Sequence, residues 1–174
     1  MRLTQTLFPL IGALLLTGCS TLVSLNPFLN EQEADFDPAL LGTWHDDDGN
    51  LYIVDRIKDR YAITYLEKSS VMRFEAWLLE TADAKLLDLE SSNEDAFQIA
   101  IHVPVRVWSD GSTLGFAFLD AEWLKQQAIQ ELSAQVMKDR TVITAPSAAA
   151  EAFLARLGAD TRAHGEVRVL HRVQ

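Results

Sequence analysis

The chain has 174 residues, 48% of them hydrophobic, which is enough for one domain with a real core and short of what two would need. Fifteen basic side chains face 25 acids, a formal charge of −10, which repels nucleic acid and anionic lipid head groups. One cysteine excludes an internal disulfide, so burial of apolar surface must stabilise the fold unaided.

Met1 to Thr6 carries Arg2 and no acid, Leu7 to Leu16 is an apolar run, and Thr17 and Gly18 are small. That is the layout of a secretory signal. The run is about half of the roughly 20 residues a spanning helix needs, and Pro9 and Gly12 interrupt it. Leu16-Thr17-Gly18-Cys19 resembles the lipobox of bacterial lipoproteins. The resemblance implies a signal peptide over 1–18 and acylation of Cys19, palmitate being a typical chain, which would anchor the protein to a membrane without embedding it. Ser20 stands where an aspartate accompanies inner-membrane retention, so the expected location is the outer membrane, at its periplasmic face. Residues 19–39 are expected to be the lipidated N-terminus and a tether broken by Pro27 and Pro38. Alternatively Leu22, Val23, Leu25, Phe28 and Leu29 pack under the domain as a lid. With a tether contributing little core, the chain from Glu31 onward is expected to fold alone.

Residues 40–174 form the expected single domain. From Leu41 to Asp120 apolar and polar residues alternate between turn signals, the period of antiparallel strands. Strands are expected near Gly42 to Asp46, Asn50 to Ile57, Tyr61 to Glu67, Val71 to Thr81, Lys85 to Glu90, Ala96 to Ser109 and Thr113 to Leu119. Asp48-Gly49, Lys58-Asp59 and Asp110-Gly111 suit tight hairpins. Asp120 then caps an expected helix striped by Leu124, Ala128, Leu132 and Val136. A strand at Thr141 to Thr144 precedes a second helix, N-capped by Ser147, carrying Phe153, Leu154 and Leu157, and ending at Gly158. Glu166 to Val173 closes the chain as a strand. The fold class is thus mostly β: an antiparallel up-and-down barrel with two helices near the C-terminus, its last strand paired with its first.

Phe36-Asp37-Pro38-Ala39-Leu40-Leu41-Gly42-Thr43-Trp44 resembles the entry to the first strand of lipocalins and related calycin barrels. That resemblance implies a lipocalin-like barrel whose closed end is plugged by the Trp44 indole, with a basic residue of the last strand, Arg172 or else Arg168, packed over it. Trp44, Asp120 to Leu124 and Thr144-Ala145-Pro146 are also similar to bacterial lipoproteins with lipocalin-like barrels, a likeness that implies no particular activity. Physical chemistry points the same way for Gly42, since a glycine on a strand admits close approach of another part of the chain.

The run Asp46-Asp47-Asp48-Gly49-Asn50 lacks the glutamate of a calcium loop, Ile57 standing in its place, and is expected to be a solvated hairpin. His45, His102, His164 and His171 lack metal-ligand spacing, and the nucleophile elbow Gly-x-Ser-x-Gly is missing. No enzyme, metal or cofactor is therefore expected. In Phe97 to Trp108 the odd positions form an unbroken apolar face, which puts His102 and Arg106 outside as a polar pair. The interior is expected to collect Tyr61, Ile63, Tyr65, Met72, Phe74, Leu78, Phe116 and Phe118. Small barrels fill themselves with side chains, so a packed core is the expectation and an aromatic-lined lumen for a ligand the alternative. The expected function is non-enzymatic binding of a small apolar or amphipathic molecule by a membrane-anchored lipoprotein. The rival is a solid barrel that contacts an envelope protein.

Overall fold

A computed structural model describes residues 21–91, 99–120, 123, 124, 127, 131–137, 140–157 and 160–173; the signal peptide expected over 1–18 and Cys19 lie outside them. The alternating segments become strands: β2 (Gly42–His45), β3 (Leu51–Ile57), β4 (Arg60–Glu67), β5 (Ser70–Glu80), β6 (Lys85–Ser91), β7 (His102–Ser109) and β8 (Thr113–Leu119). Each pairs antiparallel with the next. The last strand, β11 (His164–Arg172), pairs with both β8 and β2, so eight antiparallel strands close a barrel that has no free edge of its own. The hairpins follow turn chemistry. Gly49 and Gly111 take positive φ of 80° and 89°, and Lys58 and Lys68 take the left-handed conformation in two further tight turns.

Closure fixes which side chains meet. Trp44 lies opposite Tyr52 on one side and Arg172 on the other. The inner face gathers Leu40, Trp44, Val54, Tyr61, Ala76, Leu78, Leu87, Val105, Val107, Leu114 and Leu170.

A second core covers the outside of β6, β7 and β8. It is built from the strand β1 (Thr21–Ser24), the hairpin β9 (Ala134–Met137) with β10 (Arg140–Ile143), and the helix α1 (Ser147–Leu157). β1 runs parallel to β10 and touches the barrel at one pair, Ser24 opposite His102. Leu22, Phe28, Leu86, Leu119, Leu124, Ile143, Phe153 and Leu154 pack together there. This layer explains why β6 buries Leu86, Leu87 and Asp88 in succession: apolar packing covers both faces of the strand.

One open alternative is decided, in favour of a packed N-terminal segment, and other expectations change. Residues 21–39 are packed chain, with Leu22, Val23, Phe28 and Leu29 buried, Asp35 bridged to Leu78, and two single-turn 3-10 helices at Glu31–Glu33 and Pro38–Leu40. Near the C-terminus one α-helix is described whole where two were expected; of the other, Asp120 does cap, accepting the Trp123 N–H at 2.9 Å, and Trp123, Leu124, Gln127 and Glu131 are helical, but Ala128 lies outside the described residues and Val136 stands in β9, so the stripe does not run to its expected end. β9 itself was not foreseen. His102 is buried instead of exposed, because the second layer covers the outer face of β7.

Candidate functional site

The floor of the barrel is made by the chain that enters β2. Asp37 caps the 3-10 turn by accepting the Ala39 N–H at 2.8 Å and holds Lys85 at 2.6 Å; the Lys85 ammonium keeps the Asp37 carboxyl below the usual carboxylate value. The Tyr61 hydroxyl accepts the Asp37 N–H at 2.7 Å and donates to the Asp37 carbonyl at 3.1 Å, while its ring stacks on Phe36. Trp44 is fully buried and donates its indole N–H to the Leu40 carbonyl at 3.1 Å. Arg172 lies over the indole, 4.1 Å from the ring centroid, and donates to the carbonyls of Leu41, Ala39 and Gly111. Gly42, at φ +138°, leaves the space this guanidinium occupies: a Cβ there would come within 2.5 Å of Nη1. Gly42, Trp44 and Arg172 are thus one contact set at the closed end.

Above this floor the barrel is hollow. A cavity of about 200 Å³ lies along its axis. Tyr61, Ile63, Tyr65, Phe74, Phe116 and Phe118 line it. Met72 pairs opposite Tyr65 but stands outside the wall, and Leu78 is fully buried in the inner core without reaching the cavity. The interior is therefore packed at one end only, which corrects the expectation of a filled core. Tyr52, Val54, Leu87, Leu89, Ile101, Val103, Val105, Val107, Leu114 and Leu170 complete most of the wall. Tyr52 and Val54 escaped the sequence because Leu51-Tyr52-Ile53-Val54 is apolar at every position, so alternation cannot say which side faces in.

Polar groups gather at one side of the lumen. Tyr52 and Tyr65 lie with ring centroids 4.7 Å apart, and Tyr52 also meets Phe116 at 6.0 Å. Burial raises the pKa of both tyrosines, which stay protonated donors at neutral pH; for Tyr52 the nearby Tyr65 and Asp46 add to the rise and Arg168 opposes it. Arg168 stands on β11 opposite Phe116, half-buried, on the same strand face as Leu170 and Arg172. It does not cover Trp44; Arg172 does.

Elsewhere, His102 Nδ1 is 3.1 Å from the buried Asp88 carboxylate. His45 and His171 face each other across β2 and β11 with rings 5.7 Å apart. Among the described residues no three acidic, histidine or cysteine side chains converge for a metal ion. The Asp46 to Asn50 turn closes on itself, Asp46 accepting from the Asn50 backbone and side chain at 2.9 Å each.

The fold and lumen thus define a closed eight-stranded antiparallel barrel with an apolar internal cavity. No protein-family model, curated protein or solved structure matches the chain, so what the cavity takes has to be argued from its own walls.

Proposed function

We propose that this barrel is the folded part of an envelope lipoprotein, anchored through Cys19 at the periplasmic face of the outer membrane, and that it binds a small apolar or amphipathic molecule in its lumen without altering it chemically. The cavity carries the reading: it is apolar, lies inside a closed barrel and is floored by a tied-down plug. A lipocalin-like assignment is supported by Gly42-Thr43-Trp44 opening the first barrel strand, by Arg172 over Trp44, and by α1 preceding the last strand. A solid barrel acting only through an envelope partner would need a packed lumen.

Native mass spectrometry of the protein taken from its own membranes tests the ligand. The expected spectrum shows a co-purified small molecule, and Phe74→Trp, which adds bulk at the wall, should lose it. A bare protein mass, together with no uptake of a short-chain alcohol, counts against binding. The anchor is tested separately: Cys19→Ala should abolish labelling by palmitate and release the protein from the membrane fraction.

A further inference from the structure

The chemistry of the ligand's polar end can be read from Arg168, given the luminal reading above. Arg172, two strand periods along the same face of β11, spends its donors on three backbone carbonyls. Arg168 has no hydrogen-bond or ion-pair partner among the described residues, although it is half-buried. A guanidinium with no protein partner is satisfied best by a planar two-oxygen acceptor. Its surroundings favour such a group. Phe116 of the cavity wall stands directly opposite, and Tyr65, another wall residue within electrostatic reach of Arg168, keeps its hydroxyl proton as a donor, whereas Tyr52 donates to Asp46. Two acids act on those tyrosines: Glu67 on Tyr65, and Asp46 on both, the latter already engaged by Asn50 and by Tyr52 at 3.4 Å. Size narrows the rest. About 200 Å³ is somewhat more than the roughly 150 Å³ that accepts benzene and below the range of drug-sized pockets, so one short chain fits and a two-chain lipid does not.

We infer that the lumen holds a single-chain carboxylate of about eight carbons, its tail along the apolar wall and its carboxylate on Arg168 with the Tyr65 hydroxyl beside it.

Equilibrium dialysis of the full chain in lipid nanodiscs, against empty nanodiscs, with octanoate, octanol and octylamine tests this. Octanoate should bind about tenfold more tightly than octanol, the least expected of a charge-assisted pair, and octylamine more weakly than either. Arg168→Gln should remove the preference for octanoate while leaving octanol binding unchanged. Equal affinity for octanoate and octanol in the unaltered chain overturns the carboxylate assignment and leaves the luminal reading standing. A parallel loss of octanol binding in Arg168→Gln makes Arg168 a structural residue and also overturns it. If none of the three binds, the luminal reading falls and this inference with it.

Discussion

Trp44, Gly42 and Arg172 show how one position sets the next. The glycine takes φ +138°, a region L side chains avoid, and its missing Cβ admits the guanidinium that covers the indole. Trp44→Ala should cost about 3 to 5 kcal/mol, the range for deleting a fully buried large aromatic. Arg172→Ala should cost less, and the double mutant should lose roughly 1 kcal/mol less than the two single losses together, because the cation and the ring lose one shared contact. Additive losses in denaturant titrations would show that the pair does not interact. Gly42→Ala should cost about 1 to 3 kcal/mol through backbone strain, and Arg172→Ala should relieve only the clash, not the strain. This contact was legible in the sequence because two constraints converge on it: the family-like Gly-x-Trp, and the need of a barrel to pair its ends. Arg168 was the second choice for the same role. It shares the strand face, but four residues along β11 it lies beyond the short β2, opposite Phe116 of the cavity wall.

Among the elements, the meander was readable to within a residue or two except in β7, expected from Ala96 but starting at His102 with residues 99–101 outside it, since strands with one solvated face keep their alternation and their turns carry Asp-Gly or Lys-Asp. The second layer was not, because it rests on contacts far apart in sequence. β1 has four residues, and its partners β10 and His102 lie more than 70 residues away. One local signal was available. Leu86-Leu87 and Trp77-Leu78-Leu79 break the alternation, which is what a strand does when both its faces are covered. The segment expected as a tether is consequently a structural part of the domain, stapled by the Phe28 N–H to Asp88 at 2.8 Å and by Asp35, which accepts the Glu80 N–H at 2.8 Å. A chain from Glu31 onward, expected to fold alone, would lack this part of the core. Removing Leu22, Val23, Phe28 and Leu29 forfeits roughly 1.5 to 3 kcal/mol for each buried side chain, against a total stability of about 5 to 15 kcal/mol. A chain starting at Glu31 should unfold at much lower denaturant than one starting at Thr21; matching midpoints would show that the outer layer adds nothing.

At the scale of the whole molecule, two cores share one wall, and the wall carries a buried charge pair. Asp88 on β6 accepts from Phe28 with Oδ2 and meets His102 on β7 with the same oxygen, so the pair ties the N-terminal segment to the barrel. Burial works against charge on His102, but the hydrogen bond and charge of Asp88, helped by Glu90 and Glu31, outweigh it and raise the histidine pKa above its ordinary 6.5. The folded state thus holds the proton more tightly than the unfolded chain. This contribution to stability is complete below pH 6.5 and is lost as pH climbs through the raised value. Asp37 has the opposite sign. Its lowered pKa stabilises the fold above the ordinary 3.8 and is lost as pH falls through the folded value. Stability should therefore be greatest between about pH 4 and 6.5, with a decline on the alkaline side. Growing negative charge would also produce such a decline in a chain already at −10, so the variant decides. Urea midpoints from pH 5.5 to 8.5 should fall in the unaltered protein and fall less in His102→Gln, which keeps a donor for Asp88 but cannot take up a proton. The same slope in both proteins would assign the decline to net charge and leave the pair a plain hydrogen bond.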